Sequence, residues 1–157
     1  MPEDYIMRLI RQISAALAGI IAKQKGGNLI AAREELATTS TLTIGLSLDR
    51  LKQLSPEAVA ELLNKTGASR HLRAVTLAEL LLLDAELNPS AGAPGQPTAN
   101  HVHAFCLLAD SMSALSREEQ AVYRPKLAYL ASQLGGLQTH PYIKERLRDY
   151  ASAKSAV

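Results

Sequence analysis

The chain has 157 residues, of which 47% are hydrophobic and 20% are charged, and its formal net charge is +2. These values are typical of one globular domain that buries its own hydrophobic core, and they exclude a disordered chain. Basic and acidic residues are interspersed throughout without a basic block, which argues against a nucleic-acid-binding protein.

The apolar residues are mostly Leu, Ala and Ile, and aromatic residues make up only 4% of the chain. Because these residues favour helices and no segment alternates clearly between apolar and polar positions, we predict an all-α protein. The most apolar segment, residues 13–22, is shorter than the roughly 20 residues that cross a membrane. A single cysteine excludes an intrachain disulfide, so we expect a cytoplasmic protein.

The first predicted helix covers residues 3–25 and ends at Gly26 and Gly27. One aliphatic stripe along it should be buried against the helices predicted at 28–43 and 69–87; it consists of Ile6, Leu9, Ile10, Ile13, Leu17, Ile20 and Ile21. The opposite face changes from arginines to the small residues Ala15, Gly19 and Ala22. That face either is solvated or packs closely against another helix, of this chain or of a second copy.

Four further elements are predicted before residue 88. A second helix spans 29–43 with Leu29, Ala32 and Leu36 facing inward, and a short helical connector follows at 46–54. The motif Ser55-Pro56-Glu57 indicates the start of a third helix, which ends near Gly67. A fourth helix spans 69–87. It is apolar on more than one face, so at least three of the four leucines at 80–83 should be inaccessible.

Residues 88–99 contain three prolines and two glycines and predict an exposed loop within a single domain, 1–157. The fifth helix covers 100–115, with an inward stripe of Val102, Phe105, Ala109 and Met112. The sixth begins with the capping-box pattern of Ser116 and Glu119, and Pro125 either kinks it or divides it in two. The seventh begins near Pro141, with a stripe of Ile143, Leu147 and Tyr150.

Few residues in the sequence suggest a catalytic or metal-binding role. His103, Cys106 and Asp110 lie on one side of a predicted helix and are possible metal ligands, whereas His101 points away from His103. The alternative is that Cys106 is a small core residue. Because no second cluster completes such a site and no nucleophile stands beside a base, we expect no metal, no cofactor, and neither catalytic nor binding residues of an enzyme.

A helix-turn-helix could be drawn through residues 56–87, supported only by Arg70, His71 and Arg73 near the start of its second helix. That second helix is rich in leucine, where a helix that reads DNA should be polar. We therefore expect no binding to nucleic acid.

Two stretches, residues 4–22 and 36–63, resemble an uncharacterised bacterial family of small helical proteins. The matching positions are Asp4, Tyr5, Ile6, Arg8, Ile10, Gly45, Leu46 and Ser55, and the resemblance covers residues 4–87. It implies a tetratricopeptide-like helix pair in the C-terminal half, formed here by 77–87 and 101–115. The loop between these segments and the missing Trp, Gly and Tyr of a full repeat depart from that pattern, so no superhelical array is implied.

Together these features predict an all-α single domain of about six or seven antiparallel helices, with tetratricopeptide-like pairing in the C-terminal half. We expect a non-catalytic protein-protein interaction or scaffold protein in the bacterial cytoplasm, without membrane contact. Its partner would be an unidentified protein or a second copy, as in a homodimer. The alternative function is a helical domain that binds a small ligand or effector.

Overall fold

The computed structural model describes residues 2–45, 47–65, 67, 70–87, 99–134 and 141–155, with the backbone alone at 2–11, 13–14, 42–44 and 152–155. All regular secondary structure in these ranges is helical, which confirms the all-α prediction. The α-helices are α1 (Pro2–Lys25), α2 (Leu29–Ile44), α3 (Leu48–Gln53), α4 (Pro56–Asn64), α5 (Arg70–Leu87), α6 (Ala99–Ser111), α7 (Arg117–Gln133) and α8 (Pro141–Ser155), and a 3₁₀ turn covers Met112–Ala114. None of the helices in the described ranges is long and apolar enough to span a membrane.

Local side-chain hydrogen bonds explain where several helices begin. The Ser55 side chain accepts from the backbone N–H of Ala58, which satisfies a donor that the first turn of α4 leaves unpaired. Ser116 and Glu119 form the full capping box at the start of α7. Both predicted helix starts are therefore confirmed.

The prolines and glycines act differently along the chain. Pro125 lies inside α7, which is continuous from Arg117 to Gln133, so the alternative of two separate helices is wrong. Gly45 ends α2 with a φ of 77°, and its N–H donates to the carbonyl of Thr41. Glycine suits that left-handed position because it has no Cβ.

The centre of the core lies between α5 and α6. These helices are antiparallel, because Asp84 is bonded to Asn100 near one end and His71 contacts Ser111 near the other. Helix α2 packs on both α1 and α5, α1 also contacts α5, and α7 and α8 pack on α6. The largest fully buried side chains at this centre are Leu77, Leu80, Leu81, Phe105 and Leu108.

Two expectations about burial need correction. Leu80 and Leu81 are inaccessible, but Leu82 and Leu83 are only half-buried, so two rather than three of the four leucines are enclosed. Leu29 is 43% exposed rather than inward. The guanidinium of Arg33 reaches the carbonyl of the last residue of α5, so the first turn of α2, with Leu29, extends beyond that end of α5.

The other predicted stripes are mostly enclosed. Ala32, Leu36, Phe105 and Ile143 are buried, whereas Val102, Ala109, Met112, Leu147 and Tyr150 pack as half-buried residues against the core. The fifth predicted helix ends early, because α6 stops at Ser111 and the 3₁₀ turn follows. The predicted loop at 88–99 lies outside the described residues, apart from Ala99, at which α6 begins.

In α1, the description of side chains covers only the second half of the aliphatic stripe. Ile20 is buried, Leu17 is half-buried and Ile21 is 37% exposed, whereas the side chains of Ile6, Leu9, Ile10 and Ile13 lie outside the described part. On the opposite face Ala15 and Ala22 are exposed in the single chain. A Cβ built on Gly19 would lie 2.9 Å from Oε1 of Glu35, which pairs with Lys23.

Candidate functional site

An open groove of about 600 Å³ lies between α1 and α7, over one flank of α5. Its apolar lining consists of Leu17, Ile21, Leu82, Leu83, Tyr129 and Leu130. We call it the α1–α7 groove. It is the reason that Leu82 and Leu83 are only half-buried, because α1 and α7 stand on either side of these leucines and leave them partly open.

Helix α7 exposes two large apolar side chains, of which Tyr129 lines the groove. Tyr129 is 55% exposed and Val122 is 60% exposed, and the two side chains lie seven residues apart, which places them on the same side of a helix. Ile21 is exposed on the opposite wall. Ile21 and Tyr129 both line the groove, and an exposed groove with apolar walls is typical of surfaces that bind another molecule.

The carboxylates at the edge of the groove already have partners within the chain. Glu79 accepts a hydrogen bond of 2.7 Å from the Tyr123 hydroxyl and lies 3.5 Å from Nζ of Lys126. Burial raises the pKa of the Tyr123 phenol well above its ordinary value, and the bond to Glu79 raises it further. Glu86 accepts a bond of 3.1 Å from Nε2 of Gln24. Both carboxylates therefore have hydrogen-bond partners within the chain, and Glu79 also has a cationic one, Lys126.

His101 lies at the end of the groove where α6 begins. Its ring meets the ring of Tyr129 edge to face, with 6.2 Å between the centroids. Burial lowers the pKa of the His101 imidazole below its ordinary value of 6.5, so the ring is neutral near pH 7. A neutral His101 extends the aromatic surface that Tyr129 presents.

The structure separates the three residues that the sequence suggested as metal ligands. His103 and Cys106 are buried in the core, whereas the Asp110 carboxylate pairs with the Arg146 guanidinium, with 3.0 Å between Oδ1 and Nε. Cys106 is 3% exposed within the core cluster, which confirms the alternative that it is a core residue, and this burial raises the pKa of its thiol to about 12. In the described part of the chain, no group of three or more His, Cys, Asp or Glu side chains could hold a metal ion.

A second, smaller cavity of about 250 Å³ lies among α4, α5, α6 and α8. We call it the polar cavity; its polar lining consists of Asn64, Arg70, His71, Asp110, Ser111 and Arg146. The sequence drew attention to Arg70 and His71 only as weak support for DNA binding, whereas in the structure both line this cavity. Nothing in the sequence indicated that Ser111 and Arg146 lie beside Arg70 and His71 in this cavity.

No family model, curated protein or solved structure matches this chain. The described part of the chain is all-helical and contains the α1–α7 groove and the polar cavity.

Proposed function

We propose that this chain is a non-catalytic protein-protein interaction or scaffold protein whose α1–α7 groove binds an amphipathic helix of another protein. The observation that carries the proposal is the apolar lining of the groove, which includes the exposed side chains of Ile21 and Tyr129. Binding would remove this surface from water, which is the main source of affinity at protein interfaces.

The size of the groove suits a helix. Along α5 its lining runs from Glu79 to Glu86, eight residues whose seven steps rise about 10 Å, or roughly two helical turns. A bound helix that places apolar side chains at positions i, i+3 or i+4 and i+7 covers the same length. Leu82 and Leu83 would contact those side chains from below, and Ile21 and Tyr129 would contact them from the two walls.

The carboxylates of the groove are compatible with an apolar occupant. The Glu79 carboxylate is bonded to Tyr123 and Lys126, and the Glu86 carboxylate is bonded to Gln24. An apolar helix can bind in the groove while these hydrogen bonds remain in place. Polar groups at the rim around an apolar centre are the usual arrangement of protein interfaces.

The family resemblance and the tetratricopeptide-like pairing belong to this proposal. The antiparallel packing of α5 on α6 supports a tetratricopeptide-like pair, and such helix pairs commonly present a surface to a partner protein. We place the protein in the bacterial cytoplasm on the basis of the same resemblance and of the single cysteine.

Site-specific photo-crosslinking in the host cell tests the proposal. A photoreactive phenylalanine analogue replaces Tyr129 in one variant and Ala128 in the other; Ala128 is equally exposed but does not line the groove. We expect a discrete crosslinked complex from position 129 alone, with the crosslink mapped by mass spectrometry to an amphipathic segment of a different protein.

Two results would overturn this reading. Equal crosslinking from positions 128 and 129 would show that the groove has no specific occupant. A crosslink from position 129 to a second copy of the chain would replace the partner protein with a homodimer.

The second candidate function is binding of a small ligand or effector, and the observation that favours it is the polar cavity.

A further inference from the structure

We propose that the polar cavity binds a small aliphatic monocarboxylate. This site is separate from the α1–α7 groove and shares no lining residue with it. The proposal depends on the charge of the cavity, on the hydrogen-bond donors that line it and on its size.

The charges that line the cavity leave an excess of positive charge. Arg70 and Arg146 both line it, while Asp110 is the one carboxylate among the lining residues that the structure describes. Asp110 pairs with Arg146 through Nε–Oδ1 and Nη2–Oδ2 contacts of 3.0 Å and 3.3 Å. The charge of Arg70 is then balanced by no carboxylate of the lining, and a monoanion would neutralise it.

Both guanidiniums are held in place by the protein. Nη1 of Arg70 donates to Oδ1 of Asn64 across 2.6 Å. Arg146 lies over the ring of Tyr142, 3.3 Å from its centroid, and donates to the carbonyl of Tyr142. Because a guanidinium carries five N–H donors, these bonds leave further donors for a ligand, and the fixed orientation lowers the entropic cost of binding.

Ser111 and His71 complete the polar side of the cavity. The Ser111 side chain is 1% exposed, and its Oγ lies 3.2 Å from Nδ1 of His71. A buried hydroxyl that touches one imidazole still has hydrogen-bonding capacity toward the cavity. It can donate to a carboxylate oxygen while it keeps its contact with His71.

The apolar side selects among small anions. Leu63, Ala74 and Leu107 are apolar residues of the lining. A volume of about 250 Å³ is smaller than the cavities that hold drug-sized ligands. A short-chain carboxylate such as butyrate places its carboxylate at the guanidiniums and its alkyl chain on the leucines, whereas inorganic phosphate has no group for the apolar wall.

Titration with sodium butyrate, acetate and inorganic phosphate at constant ionic strength tests this inference. The readouts are the NMR resonances of the His71 ring and of the Ser111 backbone amide. We expect saturable shifts with butyrate, weaker binding of acetate, and the weakest binding of phosphate. Arg70→Gln should weaken butyrate binding by about tenfold or more, because it removes a charge-assisted hydrogen bond.

Arg124→Gln is the matched control, since Arg124 is exposed on α7 and does not line the cavity; its affinity for butyrate should equal that of the wild type. Ser111→Ala should also weaken binding, and circular dichroism checks that each variant is folded. The proposal is overturned if butyrate causes no saturable shift at millimolar concentrations, if phosphate binds as tightly as butyrate, or if Arg70→Gln and Arg124→Gln bind equally well.

Discussion

The side-chain amide of Asn100, near the start of α6, donates a hydrogen bond of 2.8 Å to the carboxylate of Asp84 on α5. The same amide donates to the carbonyl of Leu81, also across 2.8 Å, and Nζ of Lys52 on α3 reaches Asp84 at 2.7 Å. Asp84 and Asn100 are both buried. This network joins three helices and fixes how α6 begins against the end of α5.

Replacement of Asp84 by alanine should therefore destabilise the fold. It removes the acceptor of a buried amide and the partner of Lys52, which is partly exposed and can regain water. We expect the free energy of unfolding to fall by about 2–4 kcal/mol in urea denaturation. Asp49→Ala is the control, because Asp49 also lies near Lys52, at 3.6 Å, but is 91% exposed. Asp49→Ala should change the free energy of unfolding by no more than about 0.5 kcal/mol. Equal losses of this free energy in Asp84→Ala and Asp49→Ala would contradict this account.

The two flanks of α5 should respond differently to truncation. Leu81 is inaccessible and Leu82 is half-buried at the groove. Leu81→Ala should lower the free energy of unfolding by about 2–5 kcal/mol, because it leaves a cavity in the core. Leu82→Ala should lower it by about 1–2 kcal/mol, because less area returns to water. A loss for Leu82→Ala as large as that for Leu81→Ala would show that the groove is closed in solution.

Much of the helical architecture follows from local sequence. Ser55 and Ser116 mark helix starts because capping involves only the next three residues, and α5 is central because it is apolar on more than one face. The sequence could not predict that Leu82 and Leu83 stay partly open, since this depends on the separation of α1 and α7. The polar cavity was missed for a similar reason, because His71, Ser111 and Arg146 come from three helices far apart in the chain.

Pro125 should destabilise α7. A proline inside a helix has no N–H for the preceding turn, and its ring crowds the carbonyl four residues earlier. Pro125→Ala should raise the free energy of unfolding by about 1–3 kcal/mol, and the melting temperature with it. Ala128→Pro places a proline on the exposed side of the same helix and should lower the free energy of unfolding by about 3 kcal/mol. A lower melting temperature for Pro125→Ala would contradict this prediction.

The buried histidine of α6 should make stability depend on pH. Burial lowers the pKa of His103 from its ordinary value of 6.5, and hydrogen bonds to the backbone of Lys52 and Leu54 oppose only part of that shift. Above pH 6.5, the His103 imidazole is mostly neutral in both the folded and the unfolded chain. Below it, the unfolded chain binds the proton first, so the free energy of unfolding decreases as the pH falls.

Urea denaturation at about pH 7.5 and about pH 5.5 measures this effect. The wild type should lose more free energy of unfolding between the two values than His103→Gln, which cannot titrate. Carboxylates contribute equally to both proteins, so they cancel in the comparison. The same loss in both proteins would show that His103 keeps its ordinary pKa in the folded state.

The affinity of the crosslinked partner segment for the wild type, Tyr129→Arg and Ala128→Arg tests the central claim most directly. Isothermal titration calorimetry with the synthetic segment gives the three dissociation constants. Tyr129→Arg puts a charge where the groove meets its apolar partner, so it should weaken binding by about tenfold or more. Ala128→Arg adds the same charge outside the groove and should leave the affinity nearly unchanged. Equal affinities for the two variants would contradict a binding site in the α1–α7 groove.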